Sequence, residues 1–356
     1  MTDSKETLIK FLADHYGLTL HDARPLSGAQ SSSVYLCDTK GRGQLVLKQS
    51  QWYKGFAKNP EEVLETVYTI ADLIAAEGVP LQRAIKKENG KYVTTVEESQ
   101  WALLEYKMGH PFQGEKKEFE EAGKALALFH HAGLKLAKKN ADLINKAATI
   151  PVEKPYEESR DLYFSVLRDQ LLTEHSCSSP DVCRVIRQDI RYIDEAISYI
   201  DAKLGSGAKL TVGILHNDFN YANGLYDDTG GFVSFLDVDQ LGVGPFVFDI
   251  ANAIASFATG YIKDHGREAL KHSTGRFIAS YHAHNPLAFA EYERILAATQ
   301  RWDVMRILRT LRRHHYENDR LPALMPKITN RFLPRLKEAP ALFSFVTPEW
   351  IREALA

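Results

Sequence analysis

Residues 216–223 read His-Asn-Asp-Phe-Asn-Tyr-Ala-Asn, and Phe-Leu-Asp-Val-Asp follows at residues 235–239. A short apolar run precedes each stretch, which predicts that a β-strand leads into each polar group. Asp218 and Asn223 are five residues apart in the loop after the first strand, where both side chains can point to one side. Asp237 ends the second apolar run, fourteen residues after Asn223. The pattern therefore places three oxygen-bearing side chains at the ends of two neighbouring strands.

These three side chains match the needs of phosphoryl transfer. Mg2+ binds oxygen ligands and usually takes only a few protein groups together with phosphates. The reaction depends on positioning and charge stabilisation more than on covalent catalysis. We predict that Asp218 orients an acceptor hydroxyl and takes its proton, and that Asn223 and Asp237 bind Mg2+. Asn and Asp also occur in surface turns, where they only hydrogen-bond the backbone; the position of Asp237 favours the catalytic interpretation.

The composition is that of an ordinary globular protein. The 356 residues are 44% hydrophobic and 25% charged, with a net charge of −2, so neither a nucleic-acid nor a membrane-surface partner is indicated. The N-terminus has no basic stretch followed by an apolar run, and no run of about 18 apolar residues is present. The cysteines Cys37, Cys177 and Cys183 have no paired spacing, which favours a reducing compartment. We expect a cytoplasmic protein with no nucleic-acid partner and no membrane association.

Hydrophobic periodicity changes once along the chain. Before residue 108, short alternating runs predict strands, together with a helix at 4–16 and a helix at 60–77 that Asn59 caps. Helical spacing dominates after residue 108, apart from a hairpin at 224–236 next to the polar loop. The other strands are predicted at 33–37, 44–48, 81–86, 91–96 and 100–105. The later helices are predicted near 115–136, 156–174, 180–204, 247–262, 266–284, 288–315 and 323–336, with a surface loop over 137–155.

We therefore predict an α+β protein with two lobes. Residues 1–107 would form a small N-lobe built on an antiparallel sheet. Residues 108–356 would form a larger, mainly helical C-lobe that carries the polar loop. Binding pockets often lie where two domains meet, so we expect the site in a cleft between the lobes.

Residues 214–251, which begin with the motif above and end in Gly-Pro-Phe-Val-Phe-Asp-Ile-Ala, resemble the aminoglycoside phosphotransferase/choline kinase-like family. The resemblance implies a bilobal protein-kinase-like fold and ATP-dependent phosphorylation of a small-molecule hydroxyl, with ATP and Mg2+ as cofactors. It implies Asp218 as the catalytic base and Asn223 and Asp237 as the Mg2+ ligands. It also implies His216 as the residue that braces the catalytic loop. The acceptor would be a sugar, an amino alcohol or an amino acid.

Lys48 ends a predicted strand. The family layout implies that this lysine is catalytic and that its ammonium group binds the α- and β-phosphates of the nucleotide. In kinase-like folds it pairs with a glutamate on the next helix. The spacing here puts that position near Val67, and we predict Glu65 as the acidic partner.

Two further segments are candidates for nucleotide contacts. Ser31 and Ser32 lie in a small, polar loop, and the backbone N–H groups of such a loop can bind phosphate. The loop has neither Gly-x-Gly-x-x-Gly nor a Walker A sequence, and a plain polar hairpin is the alternative. Glu105, Tyr106 and Lys107 resemble the family's hinge between the lobes, whose main chain binds adenine.

The acceptor side is only weakly specified. Asn220 and Tyr221 lie inside the polar loop, where they could contact the acceptor hydroxyl. Arg309 and Arg313 lie on a basic helix and could bind a carboxylate or phosphate of the acceptor. Asp239 could assist the metal, contact the acceptor or cap a turn.

Three alternative functions remain open. The first is an antibiotic phosphotransferase of the aminoglycoside type, although sixteen acidic and sixteen basic residues between positions 216 and 356 argue against a polycationic drug. The second is a non-catalytic pseudokinase that only binds nucleotide. The third is a metal-dependent hydrolase that uses the His and Asp cluster, and it leaves Lys48 without a role.

Overall fold

The computed structural model describes residues 5–26, 33–50, 59–148, 156–173, 180–205, 207–317 and 328–356. The chain forms two compact units, and each is assembled from segments that are far apart in the sequence. The first unit comprises Met1–Val152, Val212–Gly244 and Ser280–Asn285. The second comprises Glu153–Thr211, Pro245–Ala279 and Pro286–Ala356.

The first unit contains the strands and the helices that pack on them. The strands are β1 (Leu20–Pro25), β2 (Val34–Thr39), β3 (Gly43–Ser50), β4 (Val93–Val96), β5 (Ser99–Glu105), β6 (His110–Pro111), β7 (Val212–Leu215), β8 (Gly224–Tyr226) and β9 (Phe232–Phe235), with β10 (Gly242–Pro245) at the boundary of the unit. The helices are α1 (Lys5–Tyr16), α2 (Pro60–Ala76), α3 (Lys116–Lys139) and α4 (Ala141–Ala148).

The second unit is mainly helical in its described residues. Its helices are α5 (Tyr156–Leu162), α6 (Arg168–Leu172), α7 (Pro180–Leu204), α8 (Phe246–His284, of which the residues from Ser280 belong to the first unit), α9 (Phe289–Tyr292), α10 (Ile295–Glu317), α11 (Leu333–Leu342) and α12 (Pro348–Leu355). A π-helical turn joins α5 to α6, and another precedes α11. Gly266, with φ 78°, breaks α8 into two helical parts, as the separate predictions for 247–262 and 266–284 require.

The main sheet is antiparallel, with the order β1-β2-β3-β5-β4. β3 is its central strand, so both of its faces are covered and four consecutive residues from Leu45 are buried. Side chains alternate between faces along a strand. Leu45 and Leu47 belong to the core around α1, which puts Val46 and Lys48 on the opposite face. The strand therefore carries Lys48 into the interior of the first unit.

Helix α1 closes one face of this sheet. Its buried Leu8 and Leu12 pack with Leu47, Trp101 and Leu103 of the two central strands. Fully burying one such side chain contributes about 1.5–3 kcal/mol. Polar contacts add to this packing, since Lys5 pairs with Asp22 at 2.7 Å and the Leu103 N–H donates to the Tyr16 hydroxyl at 3.2 Å.

Helix α2 covers the neighbourhood of Lys48. Asn59 caps its N-terminus by accepting a hydrogen bond from the Glu62 backbone N–H at 3.2 Å, and Pro60 occupies the first turn. Both features were predicted, and both suit a helix start. The buried stripe of α2 includes Leu64, Val67 and Tyr68.

A pair of backbone hydrogen bonds attaches β9 to the chain that follows α2. The Phe235 N–H donates to the Pro80 carbonyl at 2.9 Å, and the Gln82 N–H donates to the Phe235 carbonyl at 3.0 Å. On its other edge β9 pairs with β8, and β8 pairs with β6. The end of β9, and with it Asp237, is thus fixed beside the segment that connects α2 to the main sheet.

The core of the second unit surrounds α10, which packs against α5, α7 and α11. Asp303 of α10 and Arg335 of α11 form an ion pair inside this core. Arg335 Nε lies 2.9 and 2.8 Å from the two carboxylate oxygens, and Nη2 also donates to Asp303. Burial raises the pKa of the Asp303 carboxyl even though Arg335 faces it. The pair satisfies two charged groups that the apolar core could not otherwise hold.

The predicted α+β class, with an antiparallel sheet in the N-terminal region and helices in the C-terminal part, is confirmed. The strand predicted at 81–86 is wrong, because only Leu81 and Ala84 form isolated bridges there. The loop predicted over 137–155 is also wrong in its first part, since α3 reaches Lys139 and α4 follows; residues 149–155 lie outside the described residues. The lobe boundary at residue 107 stays a prediction.

The sequence analysis did not predict β1, β6, β10 and α12. β1 has a single buried residue, Leu20, so it lacks the alternation that signals a strand. Helix α12 does carry a signal, because Thr347 accepts a hydrogen bond from the Trp350 N–H and Pro348 follows the cap.

Among the residues that the structure describes, none of the helices combines enough length and apolar character to traverse a lipid bilayer.

We expect Arg335→Met to destabilise the protein by about 3–5 kcal/mol, because it leaves the Asp303 carboxylate buried without a counter-charge. The double variant Asp303→Leu with Arg335→Met should recover most of this loss, since it removes both charges. Urea unfolding followed by circular dichroism measures both values. Equal losses in the single and double variants would contradict a charge-pairing role.

Candidate active site

The loop between β7 and β8 holds Asp218 and Asn223 together. Asn223 Nδ2 donates to the Asp218 backbone oxygen at 2.8 Å and to Asp218 Oδ2 at 3.1 Å. Both neighbours are acceptors, so the nitrogen of the Asn223 amide must face them. Its oxygen, Oδ1, then points away from Asp218. The loop thus presents one carboxylate and one amide oxygen in a fixed relation.

His216 braces this loop from inside the first unit. Its side chain is fully buried, with ring centroids 5.5 Å from Phe235, 6.0 Å from Phe129 and 6.1 Å from Phe219. Nε2 lies 3.0 Å from the Leu236 carbonyl oxygen, and the Asp218 N–H donates to Nδ1 at 3.4 Å. One ring therefore connects the start of the loop to the end of β9.

The end of β9 turns sharply at Asp237. The Leu236 N–H donates to the Asn223 carbonyl at 2.9 Å, which sets the residue after it next to the loop. Asp237 has φ 56° and ψ 57°, and Asn217 has φ 61°. Left-handed backbone is costly for most L-residues but is tolerated by Asp and Asn. Both turns of the site therefore use the residue types that accept this conformation.

Lys48 reaches the end of β9 from the central strand of the main sheet. Its Nζ lies 2.5 Å from Asp237 Oδ1 and 2.9 Å from Asp239 Oδ2. Asp239 Oδ1 accepts a hydrogen bond from the Tyr68 hydroxyl at 2.9 Å. These contacts join residues that are 189 and 171 positions apart in the chain.

The two carboxylates keep Lys48 charged. Burial alone would lower the pKa of Lys48, but the nearby charges of Asp237 and Asp239 raise that pKa above its usual value. Burial would raise the pKa of Asp237, and Lys48, with a smaller effect of His216, holds that pKa below its usual value. Burial and Asp239 raise the pKa of Tyr68. These pKa shifts favour a charged ammonium group on Lys48, an ionised carboxylate on Asp237 and a protonated phenol on Tyr68 at neutral pH.

The expected pairing of Lys48 with Glu65 is wrong in this structure. The Glu65 carboxylate instead accepts hydrogen bonds from the Tyr92 and Val93 N–H groups, at 3.0 and 2.7 Å to Oε1. Because β4 begins at Val93, Glu65 serves to attach α2 to that strand. The residue of α2 that belongs to the Lys48 network is Tyr68, which the sequence analysis missed. The sequence does hint at Tyr68, because it follows Val67, the position where the acidic partner of Lys48 was expected.

The predicted hinge is partly committed to other contacts. The Glu105 N–H donates to the Arg83 carbonyl at 2.9 Å, and the Glu105 carbonyl accepts from Gln82 Nε2 at 2.8 Å. The Glu105 N–H is therefore occupied by Arg83, whereas the Glu105 carbonyl has two lone pairs and can accept a second hydrogen bond. Adenine binding by the main chain of Glu105, Tyr106 and Lys107 stays a prediction. The side chain of Lys107 pairs with Glu105 at 2.7 Å.

The residues predicted on the acceptor side have different positions. Asn220 is occupied within the loop, because Nδ2 donates to the Asp218 carbonyl and Oδ1 accepts from the Ala222 N–H. Tyr221 is exposed beside it. Arg309 is half-buried on α10 in the second unit. Arg313 lies on the same helix, but its side chain is outside the described part of the structure, as are Ser31 and Ser32.

The oxygen donors fit a hard divalent cation such as Mg2+. Asn223 Oδ1 is directed away from Asp218. The Asp237 side chain is 41% exposed, and its Oδ1 is the oxygen that contacts Lys48 Nζ. The described residues contain no group of three or more His, Cys, Asp or Glu side chains arranged for a metal. Few protein ligands, completed by phosphate and water, are usual for Mg2+. Asn223 and Asp237 are therefore the residues that could hold a divalent cation.

The model of the phosphotransferase enzyme family (APH) matches residues 22–270, most of the chain. Among curated proteins, ethanolamine kinase 2 of Mus musculus is 27% identical over 119 residues, 33% of this chain and 29% of that protein. The matching segment thus spans less than a third of that relative's length.

Solved structures show the same fold. An amicoumacin kinase in complex with AMP-PNP and Ca2+ aligns with a TM-score of 0.66 and 14% identity, over 94% of both chains. A microcompartment-associated aminopropanol kinase aligns with a TM-score of 0.63 and 14% identity, over 96% of this chain and 98% of the other.

Lys48→Met should lower the free energy of unfolding by about 3–5 kcal/mol, because it leaves the buried Asp239 carboxylate unpaired. Lys91→Met is the matched control: Lys91 pairs with Glu61 at 3.0 Å on the surface of the same unit, and exposed pairs contribute about 0–1 kcal/mol. Denaturant unfolding of both variants measures the difference. If Lys48→Met costs no more than Lys91→Met, the Lys48 pairs are not the buried charge network described above.

Proposed function

Because the chain belongs to the phosphotransferase enzyme family, we propose that it transfers the γ-phosphoryl group of ATP to the hydroxyl of a small amino alcohol. The observation that supports this most directly is the arrangement of four side chains in one unit. Asp218 and Asn223 are hydrogen-bonded to each other on the loop, and Lys48 forms an ion pair with Asp237 at the end of β9. Phosphoryl transfer needs an orienting carboxylate, metal ligands and a phosphate-binding cation.

Asp218 orients the acceptor hydroxyl and accepts its proton in the proposed reaction. Its Oδ2 is held by the Asn223 amide, so the carboxylate has a fixed direction. In the proposed reaction the hydroxyl oxygen forms a bond to the γ-phosphorus, and the bond from that phosphorus to the bridging oxygen of ADP breaks. The hydroxyl proton passes to Asp218. A positioned carboxylate of this kind typically contributes 10²–10⁴-fold.

The nucleotide phosphates and Mg2+ would be bound by Lys48, Asn223 and Asp237. The Lys48 ammonium is charged and lies beside Asp237, one of the two proposed metal ligands, so it would meet nucleotide phosphates that share the metal with Asp237. Asn223 Oδ1 and the Asp237 carboxylate would hold Mg2+. When bound, that ion would neutralise the charge that develops on the phosphoryl oxygens.

An amino alcohol fits the charge of the chain better than a polycation. The C-terminal part has equal numbers of acidic and basic residues, whereas several ammonium groups would need a strongly acidic surface. A molecule with one ammonium group needs one or two carboxylates. The names of the similar proteins, ethanolamine kinase and aminopropanol kinase, support the same class.

We expect Asp218→Asn to lower kcat by about 10²–10⁴-fold, because the amide cannot accept the hydroxyl proton. The fold should persist, since Asn keeps the size of the side chain. Asp228→Asn, an exposed residue in the turn between β8 and β9, is the control and should retain full activity. The measurement is coupled ADP release with ethanolamine and 1-amino-2-propanol as acceptors.

The same assay separates the competing acceptor classes when homoserine, hexoses and aminoglycoside drugs are added to the panel. Phosphorylation of an amino alcohol at the highest kcat/KM supports the proposal. A preference for the drugs would assign the chain to antibiotic modification instead. Binding of Mg2+ and ATP without transfer to any acceptor would identify a pseudokinase.

Removal of the metal should abolish transfer. Chelation with EDTA is expected to stop ADP release, and added Mg2+ should restore it. Asp237→Asn should raise the Mg2+ concentration needed for half-maximal rate by at least about tenfold, because a neutral amide binds a hard cation more weakly than a carboxylate. An unchanged Mg2+ requirement in Asp237→Asn would remove Asp237 from the metal site.

A further inference from the structure

The Asp239 carboxylate is shared between two partners. One oxygen, Oδ2, lies 2.9 Å from Lys48 Nζ, and the other, Oδ1, accepts the Tyr68 hydroxyl at 2.9 Å. All three side chains are buried: Lys48 is 8% exposed and Asp239 is 5% exposed, and Tyr68 is among the fully enclosed large side chains of the core. The three groups therefore form a continuous chain from α2 to the central strand.

The two acidic partners of Lys48 differ in their surroundings. Asp237 is 41% exposed, and its carboxylate is the one proposed to hold Mg2+. Asp239 is buried, and its second oxygen is already fixed by Tyr68. A cation that binds Asp237 competes with Lys48 for that carboxylate. The Asp239 oxygens contact the Lys48 ammonium group and the Tyr68 hydroxyl.

Helix α2 has no glutamate available for Lys48. Glu65, the acid predicted for that role, is bonded to the backbone at Tyr92 and Val93. Tyr68 lies one turn later on the same buried face of α2, and it reaches the site through Asp239. Helix α2 therefore contacts Lys48 indirectly: its Tyr68 hydroxyl bonds Asp239, and Asp239 pairs with Lys48.

We propose that Tyr68 and Asp239 are the positioning residues that hold Lys48 in place for the nucleotide phosphates. The Tyr68 hydroxyl fixes the rotation of the Asp239 carboxylate, and Oδ2 then holds the ammonium group while Asp237 binds the metal. The inference rests on the proposed function, since Lys48 has phosphates to meet only if the chain binds ATP. It assigns Asp239 to the lysine rather than to the acceptor or to a turn cap.

The first test compares two tyrosines that pack on each other. Their ring centroids are 6.1 Å apart, but the Tyr92 hydroxyl donates to Asp72, outside the site. Tyr68→Phe and Tyr92→Phe therefore remove the same atom from the same part of the core. Equilibrium binding of AMP-PNP with Mg2+, measured by calorimetry, is the readout, because it requires no turnover.

Tyr68→Phe should weaken AMP-PNP binding about tenfold, the size expected for one lost hydrogen bond to a charged group. Its KM for ATP should rise by a similar factor, while its KM for the acceptor stays within about twofold. Tyr92→Phe should bind AMP-PNP like the unmodified protein. Equal loss in the two variants, or no loss in Tyr68→Phe, would overturn the proposal.

A double-mutant cycle tests whether Tyr68 acts on Lys48 through Asp239. Asp239→Asn should weaken AMP-PNP binding at least as much as Tyr68→Phe, and the double variant should be no weaker than Asp239→Asn alone. Additive losses would show independent roles and contradict the proposal. If Asp239→Asn does not fold, the comparison of the two tyrosine variants decides the question.

Failure of the proposed function gives a different result. In that case the unmodified protein itself transfers phosphate to no acceptor. If it also fails to bind AMP-PNP with Mg2+, the positioning role fails with it. If the unmodified protein does both and Tyr68→Phe is indistinguishable from it, only the positioning role is wrong.

Discussion

Two backbone hydrogen bonds at Phe235 set the geometry on which the site depends. They attach β9 to residues Pro80 and Gln82, in the segment between α2 and the main sheet. Without them, a lysine in the third strand and an aspartate 189 residues later would have no fixed separation. Because these bonds join main-chain atoms, they do not depend on the side chains at the three positions. The aromatic cluster around His216 then fixes the polar loop to the same strand. The site is thus positioned by backbone pairing first and by side-chain packing second.

The electrostatics of the site follow from that placement. Lys48 enters from the central strand, where both faces are covered, so its charge is removed from water and must be matched by acidic groups. Two carboxylates meet it, and only one is substantially exposed. This asymmetry separates a carboxylate that can take part in cation binding from one that remains part of the interior. The distinction arises at a short 3-10 helix, Val238–Gln240: Asp237 precedes this helix and is partly exposed, whereas Asp239 lies inside it and is buried.

The sequence predicted those parts of the fold that depend on interactions between residues close together in the chain. The Asn59 cap, the helix at 60–77, the central strand with Lys48 and the break of α8 near Gly266 all have short-range causes. The strand expected at 81–86 failed because its backbone bonds go to Phe235 and Leu104, which are distant in the chain. The Glu65 pairing failed for the same reason: the backbone N–H groups of Tyr92 and Val93 compete for that carboxylate, and no periodic pattern reveals them. The grouping of Asp218 with Asn223 was predictable because five residues of one loop contain both.

The discontinuous first unit has a consequence for how the protein is made. Its main sheet and α2 are complete within the first 105 residues, but the strand that pairs at Pro80 and Gln82 belongs to residues 232–235. During synthesis the N-terminal segment therefore leaves the ribosome more than a hundred residues before Phe235, Asp237 and Asp239, the partners of Pro80, Gln82 and Lys48. An N-terminal fragment that ends at residue 105 would therefore keep Lys48 without its two carboxylates, and Pro80 and Gln82 without their backbone partner.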